Sequence, residues 1–185
     1  MFTTQSNLLC AGYFTVAALR LWMGRDRGGR AFAPALKGMA TMGVTVTLLV
    51  AWLILGMSIG FSSASAASLL GLHVLVPILA VADWPLFSSA GSARWKDPWL
   101  WVLAPVGYLA EFVLVLVSGG SLGAGHGSRA PYPFLDVDAL GVGGVTRNVI
   151  AMAIGVILLG YLAVVADKMA AFFTHRRERQ QGERI

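Results

Sequence analysis

Residues 144–166 read GVTRNVIAMAIGVILLGYLAVVA. One cation near its start is the only charge in this run, and the run shows no strand-like alternation. A stretch of about 20 mostly apolar residues is what a helix needs to cross the hydrocarbon core of a bilayer. Inside hydrocarbon the backbone must satisfy its own hydrogen bonds, so such a run is a helix. Four further runs of similar character lie upstream, at 3–23 (most apolar from Asn7 to Met23), 34–59, 65–82 and 98–117. A β-barrel would need short alternating segments instead. The sequence therefore predicts an all-α, polytopic membrane bundle of about five transmembrane helices. Residues 1–170 form its single domain, and 171–185 form a basic cytoplasmic tail.

Composition agrees. The 185 residues are 57% hydrophobic and 12% charged, with a mean hydropathy of +0.72. Soluble domains carry about twice that charge. This excludes a disordered tail, a coiled coil or an ordinary soluble enzyme. The single cysteine, Cys10, excludes an intrachain disulfide. A net charge of +5 would suit nucleic acid, but the cations sit at the ends of the apolar runs, where membrane topology explains them. No nucleic-acid partner is expected.

The cations are one-sided. Arg20, Arg25, Arg27, Arg30, Lys37, Arg94, Lys96, Lys168, Arg176, Arg177, Arg179 and Arg184 fall on one side of the five-helix topology; only Arg129 and Arg147 fall on the other. The positive-inside rule then predicts N-out, C-in. The first cation, Arg20, follows the first run, so the start does not read as a cleavable signal. No internal repeat is visible. The one long loop, 118–144, is Gly-rich and contains Tyr132-Pro133-Phe134-Leu135-Asp136. Aromatics, proline and carboxylates together suggest an ordered cap over the outer mouth.

Polar groups inside a membrane are costly and mark candidate sites. Here they are Thr3, Thr4, Gln5, Ser6 and Asn7, then His73, Glu111 and Asn148. With alternating helices and a rise of about 1.5 Å per residue, all of them fall in the outer half, beneath the loop carrying Tyr132 and Asp136. His73 is the only histidine in a span and the natural acid–base group; otherwise it is an interhelical hydrogen-bonding residue. Pro77, one turn later, would kink its helix. Thr3 and Thr4 either cap the first helix or supply a hydroxyl nucleophile, which needs a base such as His73. Glu111 is either a buried neutral carboxyl or a partner for Arg147. Asn7 and Asn148 suit helix–helix hydrogen bonds. The candidate pocket is thus Asn7, Glu111, Asn148, Tyr132 and Asp136. His126 and His175 have no ligand-spaced companions, so no metal or cofactor is expected. Gly119 to Gly123 matches G-x-S-x-G, but in a loop that follows a span rather than between strand and helix. Gly56 to Gly60 matches the small-residue pattern of close helix packing.

Phe2-Thr3-Thr4-Gln5-Ser6-Asn7-Leu8, His73 with a proline one turn on, and Tyr132-Pro133-Phe134-Leu135-Asp136 before a last helix occur in this order. Together they resemble the androgen-induced membrane protein family, and most closely its bacterial relatives. The resemblance implies an intramembrane threonine hydrolase acting on fatty acid esters of hydroxy fatty acids, located in a bacterial cytoplasmic membrane. It matches the nucleophile to Thr3 or Thr4 and the histidine to His73. Family members carry one more helix before the Thr segment than this sequence contains. The expected function is hydrolysis of a lipid-like ester. The alternatives are a non-catalytic protein binding a lipid or small ligand, and a proton-coupled carrier using His73 and Glu111.

Overall fold

A computed structural model describes residues 1–25, 32–57, 64–123 and 128–182. Arg27, Arg30, His126, Arg184 and the second glycine of the Gly56–Gly60 pair lie outside them. Among the described residues there are helices and turns and no strand. Helix α1 spans Phe2–Trp22 and α2 spans Pro34–Leu49, ending in a π turn, Val50–Ile54. A second run is built of α3 (Ala64–Leu70), a π turn (Gly71–Leu75) and α4 (Val76–Phe87). Short α5 (Asp97–Trp101) leads into α6 (Leu103–Val117). A 3-10 turn at Pro133–Leu135 precedes α7, Val137–Gly182.

Four of these runs are long and apolar enough to cross a membrane: Pro34–Ile54, Ala66–Phe87, Asp97–Val117 and Val137–Arg176. The chain is an integral membrane protein on that basis. Helix α1 has bilayer length but is not among the four. Its Thr3-Thr4-Gln5-Ser6-Asn7 start lowers its apolar content, so among the described residues four of the five expected spans are long and apolar enough, and α1 is a more polar helix packed beside them.

Helix α2 is the centre. Of its most apolar 18 residues 61% are buried, against 17–22% for the other three spans. Its small residues explain this, because they let neighbouring backbones approach. A Cβ on Gly43 would stand 3.2 Å from that of Ser6, and one on Gly38 would run into the Trp101 ring. The outer helices turn large apolar side chains such as Leu79, Leu114, Leu158 and Leu162 outward. Contiguous apolar surface of this kind is what lipid covers.

Helix α7 extends further than expected at both ends. Its start is broken at Gly141, where φ is +65°, a conformation that glycine adopts without steric cost. Its end runs through the predicted tail to Gly182, because the Arg, Glu and Gln residues there are good helix formers. Asp167 and Lys168 look like a helix boundary in the sequence, yet they dock the end of α4 and the 88–96 linker between α4 and α5. Asp167 is buried and accepts from Trp84 Nε1 (3.1 Å) and from the Ala93 N–H (2.9 Å), while Lys168 Nζ donates to the Gly91 carbonyl at 2.8 Å.

Candidate functional site

Pro77 shapes the site from its own helix. Proline has no N–H and cannot close a helical hydrogen bond. The strain is taken up in the π turn Gly71–Leu75, where the Val76 N–H bonds back to the Gly71 carbonyl. The next carbonyl in that ladder, Leu72, would face the missing N–H of Pro77. It accepts instead from Asn7 Nδ2 at 3.3 Å. The same Nδ2 donates to the Thr3 carbonyl at 2.8 Å. Asn7 thus ties the first turn of α1 to the turn that carries His73. Ser6 Oγ adds a second clamp, donating to the Thr3 carbonyl at 3.1 Å and lying 2.9 Å from Thr47 Oγ1 on α2.

These ties bring Thr3 Oγ1 to 3.4 Å from His73 Nε2. Thr3 does not cap α1: the N-cap position is Met1, without a side-chain cap. The helix starts one residue before the threonines, so both lie in its first turn. Thr3 is half-buried and faces the histidine, whereas Thr4 is exposed. The Leu69 carbonyl interacts with the His73 ring, but Nδ1 itself is buried and makes no hydrogen bond.

Thr3 and His73 line a cavity of about 520 Å3, within the usual range for small-molecule sites. Its apolar wall comes from α2 (Val46), the π turn that follows it (Val50), α6 (Val106, Leu109) and α7 (Met152, Val156). Its polar side chains are Thr3, Thr4, Thr47, His73, Tyr108 and Tyr132. Among the described residues no Lys, Arg, Asp or Glu lines it.

The described part of the long loop does cover this cavity. Tyr132, Pro133, Phe134 and Leu135 line it. Tyr132 and Phe134 stack with ring centroids 5.3 Å apart, and Tyr108 meets Tyr132 edge-on at 6.2 Å. Burial pushes the Tyr132 phenol up, against a downward pull from Thr3 and the Phe2 backbone.

The remaining candidates stand around the cavity, not in its wall. Asn148 Nδ2 donates to the Phe134 carbonyl at 3.0 Å and so holds the loop to α7. Asp136 caps the start of α7, accepting from the N–H groups of Asp138 (3.0 Å) and Ala139 (3.1 Å). Glu111 was expected inside the bundle. It is exposed on the perimeter of α6, where Gln5 Nε2 donates to it, and it meets neither Arg147 nor His73. That separates the two groups of the carrier reading. Asn7 lines a different, lateral groove between α1 and α4. In the G-x-S-x-G stretch, Ser121 Oγ accepts from the Gly123 N–H at 3.1 Å and donates to the Arg129 carbonyl at 3.4 Å, which makes it a turn-former. Among the described residues no group of three or more His, Cys, Asp or Glu side chains is placed to hold a metal.

Asp136 gives the loop a pH dependence. Ser128 Oγ, donating at 2.7 Å, is the largest influence holding its carboxyl below the usual carboxylate range, followed by the Ala139 N–H. A depressed folded-state pKa contributes stability that is present above the ordinary Asp value, near 4, and is lost as pH falls below it. Amide exchange at 128–139 is expected to accelerate as pH drops from about 6 to about 3, beyond the intrinsic pH effect. Asp136→Asn is expected to show the fast exchange at both values. Equal protection factors at the two pH values in the wild type would refute this.

Tyr108 was not singled out from the sequence, because a tyrosine within an apolar run carries no signal of its own. The same holds for Lys37, Asp83 and Asp167, whose positions near the ends of runs read as ordinary boundary charges.

Compared with known proteins, the chain matches no family model, no curated protein and no solved structure. What the site can do is therefore argued from its own geometry.

Proposed function

We propose that this protein is an intramembrane hydrolase that cleaves an uncharged lipid ester, with Thr3 as nucleophile and His73 as general base. The observation that carries the reading is the 3.4 Å approach of Thr3 Oγ1 to His73 Nε2 in the wall of a mostly apolar cavity. Catalytic hydrogen bonds are often this long before substrate binds. Two carbonyl clamps hold Thr3, so the nucleophile is fixed although it stands near the chain start. Among the described residues no charged side chain lines the cavity, which favours an ester whose inserted part is a neutral acyl chain. The likeness of the Thr and His segments to the androgen-induced membrane protein family, and to its bacterial relatives, supports the same chemistry and a bacterial cytoplasmic membrane. The distribution of cations supports an outward-facing site.

In this mechanism His73 carries its proton on Nδ1 and accepts the Thr3 proton at Nε2. Thr3 Oγ1 forms a bond to the ester carbonyl carbon, and the carbonyl π pair moves to oxygen. Collapse of that adduct expels the alcohol, which takes the proton from Nε2. Water, activated by the same nitrogen, then releases the acid and restores Thr3.

One observation favours a second reading, a cavity that binds lipid without cleaving it. His73 Nδ1 makes no hydrogen bond to a carboxylate that would orient the ring, as the third member of a triad does. Purified protein in nanodiscs, given a panel of long-chain esters, distinguishes the two. Hydrolysis with an acyl group recovered by mass spectrometry on the peptide containing Thr3 is the expected result. Saturable lipid binding with neither product nor adduct would replace the hydrolase by the binding protein.

A further inference from the structure

The Tyr108 side chain lies on α6 between Phe2 and Tyr132, with ring centroids 5.7 Å and 6.2 Å away. It is 5% exposed and lines the cavity. Its hydroxyl is buried and has no hydrogen-bond partner among the described residues. A buried hydroxyl with no partner costs stability, and a phenylalanine would keep both ring contacts without that cost. The fold therefore gains nothing from the oxygen. The other polar groups nearby are engaged: Thr3 with His73, Thr47 with Ser6 and the Gly43 carbonyl, and Tyr132 with Thr3. Phe2, against which Tyr108 packs, immediately precedes the nucleophile.

We propose that the Tyr108 hydroxyl binds the carbonyl oxygen of the ester and donates a hydrogen bond to the oxyanion that Thr3 creates. The inference rests on the hydrolase reading and adds a catalytic residue to it. Tyr108 stays protonated throughout. As the carbonyl π pair moves to oxygen, the hydrogen bond shortens and strengthens, and it weakens again when the alcohol leaves. A hydrogen-bond donor held in place before the reaction stabilises developing charge without a reorganisation cost. It also selects the substrate class: a carbonyl must reach Tyr108 while its acyl chain fills the apolar cavity.

Tyr108→Phe removes only the hydroxyl. The expected result is a kcat lower by about 10²–10³-fold, a KM within a few fold, and a thermal midpoint no lower than that of the wild type. A lower midpoint with unchanged kcat per folded molecule would assign the hydroxyl a structural role and overturn the proposal. A second measurement does not need turnover. Thr3→Ala protein is loaded with methyl palmitate labelled with 13C at the carbonyl, and the infrared stretch is recorded. It is expected at lower frequency than in detergent alone, and back at the detergent value in Thr3→Ala/Tyr108→Phe. The same position in both proteins overturns the proposal. A displaced stretch that depends on Tyr108, in a protein whose wild type cleaves no ester, refutes hydrolysis and leaves Tyr108 as the carbonyl's donor.

Discussion

Thr3→Ala is expected to reduce ester cleavage to background, while Thr4→Ala keeps it within a few fold. The two residues are neighbours of the same type, so the contrast isolates geometry from composition. Thr3 Oγ1 lies at hydrogen-bonding reach of His73 Nε2; Thr4 is exposed. His73→Ala should lower kcat by about 10²–10⁴-fold, the usual contribution of a positioned general base. The Thr3→Ala/His73→Ala double variant should be no worse than Thr3→Ala, because groups acting as one unit are not additive. Thr3→Ser should recover part of the activity, since it restores the hydroxyl. Stability moves little in comparison. The Thr3–His73 contact is worth about 1 kcal/mol, and the clamps on Thr3 engage its carbonyl, which Ala retains. Full activity in both Thr3→Ala and His73→Ala, in folded protein, would remove the site.

How far the sequence reached can be traced to individual residues. The run 144–166 and the runs of α2, α3–α4 and α5–α6 were legible because lipid demands length and hydropathy, two properties written locally; the first run forms a helix of the expected length but falls short in apolar content. Thr3 and His73 were placed in one layer by counting residues from the ends of antiparallel helices. Their 3.4 Å approach was not countable, since it depends on Asn7 finding the carbonyl that Pro77 leaves free. Depth was legible, rotation was not. Glu111 illustrates this: Tyr108 and Phe112 define the buried face of α6, and at 3.6 residues per turn Glu111 stands roughly 80° from its centre. A single carboxylate in an apolar run looks interior by hydropathy, yet the helix sets it on the flank beside Gln5. Asp136 and Asn148 read as pocket residues because they neighbour one; their side chains instead hold the loop that closes it.

The largest stability effect is expected at the other end of the bundle, at Asp83. Its partner Lys37 enters in the first turn of α2 and is buried, with 4% of its side chain exposed against 23% for Asp83. The ammonium forms an ion pair with Asp83, donates to Ser88 Oγ at 2.6 Å, and lies 5.7 Å from the Trp84 ring centroid. Removing one partner of a buried pair leaves the other charge desolvated, at a cost of about 3–5 kcal/mol. The asymmetry in exposure decides which removal hurts more. Asp83→Ala leaves a cation enclosed by α2 and α4 with only a hydroxyl and a ring face. Lys37→Met leaves a carboxylate that still reaches the surface, and the methionine refills the space, so the loss should be smaller. Lys37→Met/Asp83→Leu removes both charges and should recover most of the stability, as apolar replacements of buried pairs often do. Reversible unfolding in mixed micelles measures all three. Asp83→Ala within about 0.5 kcal/mol of the wild type would mean that the pair is solvated and worth no more than a surface salt bridge. The catalytic contrast at Thr3 should be unaffected by either outcome, because the pair touches neither the clamps on Thr3 nor the turn at His73.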